Sequence, residues 1–370
     1  MCSAILSGFS NSIIGNADGN ERGITIAGGV CNTVSGYTNQ GAFIGGGCCN
    51  RICSDARYGS FIVGGVCNTV SGYHSGVGGG ILNTALGGNS SPSTASFVFG
   101  GRQNTATGNS SIFAGLCNTT SGLSFIGGGS TNNASNISVI GGGCSNTASA
   151  SYSSVLGGRG NCATGCYSSN LGGCGNTASG YVSSALGGWG NVASACFSST
   201  IGINSRAYLY GQNTISSGQF SVNGDAQSST LVTRKSQGSV VSDGTFVLSL
   251  DGTGTTNLII PPTGKSWAVK IQYVARVTAI SGTATGLVLG DSRTQTQEVG
   301  IKNVGGTATI LSGSPNSSIA LEDASMSTAQ MNYAVGASQD LQMTFKGPTF
   351  AGGGNLNIKV VATLQITEVL

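Results

Sequence analysis

A chain of 370 residues with 64 glycines and 7% charged residues is unlike an ordinary globular domain, in which glycine is about 7% and charge about 25%. A net charge of +3 without a basic run excludes an electrostatic nucleic-acid groove, and no stretch of about 18 apolar residues exists to cross a membrane as a helix. With 39% apolar residues and an internal repeat, the glycine and serine content points to a repeat architecture and not to a disordered linker.

The N-terminal stretch MCSAILSGFSNSIIGNADGN lacks a positive n-region and reads as a worn copy of the repeat, not as a signal peptide. The expectation is a chain that does not use the secretory route, or one whose leader or anchor lies outside this sequence. A phrase built on Gly-Gly and Asn then recurs, with its Asn at 32, 50, 68, 83, 104, 118, 132, 146, 161, 176 and 191. The spacings are 18, 18, 15, 21, 14, 14, 14, 15, 15 and 15 residues, and Asn16 reads as an earlier copy. So short a period cannot hold a helix pair. It fits one coil of a parallel β-solenoid with two short strands and two turns.

Two positions per coil are apolar or small. One lies two residues after the Asn, as in Val34, Ile52, Val70 and Ala85. The other, immediately before the glycines, includes Ile44, Val63, Phe99, Ile126, Ile140, Leu156, Leu171 and Leu186. Stacked coils would align each set into a ladder about 4.8 Å apart and fill a thin core. Glycine supplies turn conformations, and Asn suits the other corner because it tolerates the left-handed region and bonds locally. The residue before the second ladder, Phe43, Ile62, Val98, Phe113, Phe125, Val139 or Val155, is expected to point outward by strand alternation. A row of exposed Phe, Ile and Val needs cover, and three sister chains in a parallel bundle are the simplest closed arrangement. The row weakens at Asn170, Ala185 and Thr200.

The twelve cysteines follow the repeat: Cys31, Cys49, Cys67 and Cys117 stand immediately before the Asn. They read as small free thiols packed between coils, with a disulfide set as the alternative. No recurring C-x-x-C pair makes a zinc knuckle, and no cofactor site is expected.

After Ile201 the phrase dissolves and alternation takes over. Trp267, Val269, Ile271, Tyr273, Ala275 and Val277 share one face of a strand, as do Leu356, Ile358, Val360, Ala362, Leu364 and Ile366 of another. Short strands with Gly, Pro and Ser turns predict an antiparallel β-sandwich. The organisation read from the sequence is all-β: a β-roll repeat domain over 1–206, a transition over 207–228 and a sandwich head over 229–370.

The segment SSVLGGRGNCATGCYSSNLGGCGNTASGYVSSALGGWGNVASACFSSTIG, Ser153 to Gly202, resembles the head repeats of trimeric autotransporter adhesins. The resemblance covers about residues 7–206 and implies a trimer of left-handed parallel β-rolls that binds surfaces. The chain departs from that family in lacking a heptad stalk and a membrane-anchor barrel, and in ending with a different domain. GDAQSSTLVTRKS, IIPPTGKSWAVKIQYVARVTAI and VATLQITEV resemble the C-terminal domain that follows such rolls in phage tail fibres. That resemblance implies a distal cap that meets the host.

Catalytic chemistry finds little support in the sequence. Between Arg22 and Asn204 the one acidic residue is Asp55, and the chain's one histidine, His74, reads as a solvated turn residue. Cleavage of a glycosidic bond needs two carboxylates across a sugar. Asp291, Glu298, Glu322, Asp323 and Asp340 are scattered and read as surface residues, so no enzymatic activity is expected. The glycine-rich segments lack the lysine and the following helix of a phosphate loop. Threonines after the Asn, such as Thr33, Thr69 and Thr84, would suit an ice-binding face, but Arg51, Cys162 and Val192 break that row.

The resulting expectation is a homotrimeric fibre or adhesin of a virus, namely a phage, displayed on the virion surface or otherwise extracellular. It would attach to a host-surface glycan or protein receptor and dock to other tail proteins at its N-terminal end, without nucleic acid or membrane insertion. An ice-binding protein or a bacterial surface adhesin or filament are the alternatives. Tyr37, Tyr73, Tyr181 and Trp189 are the candidate sugar platforms on the roll.

Overall fold

The computed structural model describes residues 3–15, 22–36, 40–53, 59–87, 95–256, 258–318 and 320–369. Their regular structure is β apart from one 3-10 turn, Ala324–Met326. The chain divides into two compact units, 1–187 and 188–370. The first ends before the expected boundary at 206.

The first unit is a parallel β-solenoid whose strands are only two or three residues long. Two ladders run through it. In one, Phe125–Ile126 pairs with Val139–Ile140 and so on from coil to coil. In the other, Asn133–Ala134 pairs with Thr147–Ala148.

Strands this short cannot hold a fold together by themselves, and the repeated Asn supplies the rest. Asn146 is fully buried, and its side chain bonds both along its own coil and across to its neighbours. Its Nδ2 donates to the Gly142 and Gly158 carbonyls at 2.9 and 3.0 Å. Its Oδ1 accepts the backbone N–H of Asn161 at 2.9 Å, while its own N–H donates to Asn132 Oδ1 at 3.0 Å. Each coil thereby clamps the next. No other side chain of this size offers both an acceptor and two donors here.

The glycine three residues before each Asn is equally constrained. Gly143 lies at φ 92°, where a Cβ is strained, and a Cβ built on it would lie 2.1 Å from the Gly158 carbonyl oxygen. Immediately before the Asn comes a second left-handed residue, which the early coils fill with Cys31, Cys49, Cys67 and Cys117 at φ 55–57°. These four are free thiols on an outer corner, exposed or half-buried. They are not packed between coils as expected, because this backbone conformation turns the side chain outward.

The outward and inward assignment of the pre-glycine strand also needs correction. The inward ladder lies six residues before the Asn: Ile26, Ile44, Ile62, Val77, Val98, Ile112, Ile126, Ile140 and Val155, all fully buried. Ile62, Val98 and Val155, expected to face outward, are therefore core. Val63, Phe99, Leu156, Leu171 and Leu186, expected in the core, are exposed, while Ile44, Ile126 and Ile140 are inside. Phe43, Phe113, Phe125 and Val139 are exposed. The misreading has a physical origin. The position five before the Asn faces outward and accepts either Gly, as Gly45, or a large apolar residue, as Val63. Counting from the first glycine thus slips by one residue between coils, which inverts every side chain of a strand.

The second unit opens with four parallel coil strands, from Val192–Ala193 to Asn213–Ser217. Asn213–Ser217 then pairs antiparallel with Ala226–Val240, and the parallel pattern ends. Asp225 fixes this reversal by accepting the N–H groups of Phe220, Ser221 and Val222 at 2.6–2.8 Å. Burial pushes its carboxyl up, but these donors outweigh burial and hold it down at about 2.

Beyond the reversal, Ala226–Val240, Asn355–Val369, Ser266–Ser281 and Ser292–Val304 lie side by side as one antiparallel sheet. A smaller sheet of Thr245–Leu248, Leu341–Lys346 and Gln330–Val335 faces it. The alternating apolar residues of Ser266–Ser281 and Asn355–Val369 form the core between them. Phe345 meets Tyr273 edge-on across it, with ring centroids 6.1 Å apart. Strands of up to 16 residues exceed the short strands expected from sequence.

Candidate functional site

The outer face of the larger antiparallel sheet carries a groove. Register places Lys270 opposite Glu298 on one neighbouring strand and opposite Gln365 on the other. Alternation sends Val269, Val299 and Ile366 into the core and turns Lys270, Glu298 and Thr367 outward. The turn Leu311–Ser314, with Asn316, forms a wall. Gly300 makes this possible: a Cβ there would lie 2.8 Å from Leu311 Cδ1, so Leu311 rests on bare backbone. Leu311 N–H donates to the Gly300 carbonyl at 2.8 Å, and Gly300 N–H donates to Ser314 Oγ at 3.0 Å. The groove encloses about 550 Å³. An ammonium, a carboxylate, two amides and hydroxyls converge on it, so it can both donate to and accept from a hydroxyl-rich ligand.

Two buried polar centres hold the unit around this groove. Glu368, 2% exposed, accepts from Trp267 Nε1 at 2.8 Å and from Tyr208 Oη and Lys265 Nζ. Burial, reinforced by the Glu368 charge, pushes the Tyr208 hydroxyl far above its ordinary range. On the Ser292–Val304 strand Arg293 pairs with Glu322, and its Nε donates to Tyr273 Oη at 3.1 Å. Burial raises the Tyr273 hydroxyl, and the Arg293 hydrogen bond partly opposes that rise.

The carboxylates singled out in the sequence go to separate tasks. Glu298 lines the groove. Asp291 accepts Val288 N–H, Asp323 accepts Ser292 N–H, and Asp340 is buried. Groove residues Lys270, Gln365 and Asn316 went unnoticed because only the register of distant strands assembles them.

The candidate platforms on the repeats also separate. Tyr37 lies outside the described residues. Tyr73 is buried, 7% exposed, and presents no ring to solvent. Trp189, in the second unit, is exposed. Tyr181 is exposed and meets Tyr167 edge-on at 5.7 Å, and Tyr167 in turn stacks on Tyr152 at 4.9 Å with 11° between the rings. Tyr152 and Tyr167 were missed in the sequence, although both lie six residues after the repeated Asn, with Tyr181 one residue out of step at five after Asn176.

No family model and no curated protein matches the sequence. Among solved structures, the chain is similar to phage tailspike proteins. It aligns with the tailspike of Acinetobacter baumannii phage AM24 at 6% identity and a TM-score of 0.23, covering 94% of this chain and 68% of that one. It aligns with the tailspike of Acinetobacter phage vB_ApiP_P1 at 8% identity and a TM-score of 0.25, covering 99% and 81%. A third, gp49 of Acinetobacter baumannii bacteriophage Fri1, matches at 9% identity and a TM-score of 0.19, covering 94% and 69%. The superpositions are loose at these scores. The Fri1 protein is a capsular polysaccharide depolymerase, and on that finding the expectation that this chain is no enzyme is withdrawn.

Proposed function

We propose that the chain is a fibre component of a phage tail, displayed at the virion surface, that attaches to a host-surface polysaccharide. Three copies associate through the solenoid in the manner of trimeric β-roll adhesin heads, and each contributes the groove around Lys270, Glu298 and Gln365. Trimeric display turns weak single-site contacts into firm attachment.

One observation carries this reading. The outward side of one solenoid ladder exposes Phe43, Val63, Phe99, Phe113, Phe125, Val139, Leu156 and Leu171, each at least 40% accessible. The members differ from those expected, but the apolar row persists. A row spanning so many coils exceeds the scattered apolar residues of a monomeric surface and calls for a partner. An isologous or cyclic contact between copies of this chain covers it without a second gene product.

The test is the mass of the intact protein in solution by sedimentation equilibrium. The expected value is three chain masses, falling to one when Phe99, Phe113 and Leu156 are all changed to Ser. A native monomer removes the trimer and the avidity argument with it.

A further inference from the structure

We infer that one corner of the solenoid, carrying Tyr152, Tyr167 and Tyr181, is a stacking platform for an extended polysaccharide lying along the coil axis. The inference rests on the attachment reading and adds a contact distinct from the groove.

Three observations converge on it. First, the rings are about half exposed and in mutual contact, so they form a strip and not isolated side chains. Second, Tyr152 and Tyr167 sit in the left-handed region, at φ 60° and 59°. The residues at the same corner of neighbouring coils, Ile137, Val182 and Phe197, are left-handed too, at φ 64°, 52° and 58°, and all are exposed, so this backbone turns whatever side chain it carries outward and Tyr152 and Tyr167 present their rings to solvent. Third, a row of hydroxyls runs beside the rings. Ser149, Thr164 and Ser179 lie three residues after successive Asn residues and reach the outside of the same corner half-exposed or exposed.

Rings beside hydroxyls match the two faces of a pyranose. Its C–H face packs on an aromatic π-surface, and its hydroxyl edge needs hydrogen-bonding partners. Each coil offers one ring, so the platform repeats along the axis and suits a polymer better than a single sugar. The three corners carry no charged side chain of their own, which favours neutral sugar units.

The test uses the intact protein and saturation-transfer NMR with four soluble neutral probes at millimolar concentration: hexamers of β-1,4-glucan, α-1,4-glucan, α-1,6-glucan and β-1,4-linked N-acetylglucosamine. Saturation of tyrosine ring protons is expected to pass to at least one probe. The double variant Tyr152→Asn, Tyr167→Asn keeps a residue tolerant of the left-handed region, so it folds, and it is expected to weaken that probe about tenfold. Tyr167→Phe is expected to retain it. Absence of transfer to all four probes, or unchanged affinity in the double variant, overturns the inference. A fall in particle mass for the double variant also overturns it, since the strip is then a contact between chains. The mass measurement on native protein tests the trimer independently, so the two failures are distinguishable.

Discussion

The solenoid and the antiparallel sandwich of one chain specify a β-sheet in opposite ways. In the solenoid, identity at a few positions decides the structure: an Asn with four hydrogen bonds and a Gly that no side chain can replace, repeated in each coil. Its core is thin, with residues as small as Ala134, Ala148 and Ala163 opposite one branched residue. In the sandwich, pattern decides. Long strands alternate apolar and polar residues, and the core is filled by Trp267, Tyr273, Phe345 and many aliphatic side chains. A sheet coded by identity should fail at single positions, while one coded by pattern should absorb conservative change.

The largest expected effect breaks that comparison if it is absent. Asn146→Leu keeps volume but leaves the Asn161 N–H and the Gly142 carbonyl without partners, while the Gly158 carbonyl keeps the Cys144 N–H. At 1–3 kcal/mol for each unsatisfied group, the loss is about 2–6 kcal/mol. Ile358→Val in the sandwich core should cost about 0.5–1.5 kcal/mol. Urea denaturation followed by hydrogen exchange of each unit reads both. Equal losses would show that the Asn ladder is not what holds the coils.

The sandwich has its own single-point weakness at its buried ion pair. Glu368→Gln leaves the Lys265 ammonium without its charged partner, and an uncompensated buried charge costs about 3–5 kcal/mol. Changing both residues, Lys265→Met with Glu368→Gln, should recover most of the loss. Thermal melts of the single and double variants measure this recovery, and its absence would mean that the pair is not the source.

The reversal between the parallel and antiparallel patterns gives a pH-dependent effect. Asp225 is held at about 2 in the folded chain against an ordinary value of 3.8. Its contribution is therefore full above about pH 4 and is lost as pH falls towards 2. Asp225→Asn should flatten the acid limb of stability between those values and lower stability at pH 7. An unchanged acid limb, read by circular dichroism during acid titration, would place the acid sensitivity elsewhere.

The two codes also explain what the sequence made legible. The Asn period was visible because identity repeats, and Trp267 to Val277 was visible because alternation repeats. The strand before the glycines was misassigned because Gly45 and Val63 occupy the same outward position, and a glycine does not announce whether it belongs to the turn or to the strand. The groove was hidden for a different reason. Lys270, Glu298 and Gln365 become neighbours only through antiparallel register over about a hundred residues of chain, and their wall depends on Leu311 fitting over Gly300. The tyrosine corner lies between these cases. Its spacing was readable, but its left-handed backbone was not.

The smallest expected effect sharpens the comparison within the solenoid itself. Eight residues before each Asn from Asn68 to Asn191, a buried serine lines the turn. Ser110 bonds the Thr107 carbonyl at 2.9 Å and Thr120 Oγ1 at 2.7 Å, whereas the hydroxyls of Ser153, Ser168 and Ser183 are buried without a partner. An unpaired buried hydroxyl is a cost, and its removal leaves only a minor void. Ser168→Ala should thus be neutral or stabilise by up to about 1 kcal/mol, while Ser110→Ala should destabilise by about 1 kcal/mol. Opposite signs at equivalent positions would show that the coil demands an identity only where a hydrogen bond is made. Equal destabilisation in both would mean that serine is required at this corner for its backbone preference, and that the solenoid's code extends beyond Asn and Gly.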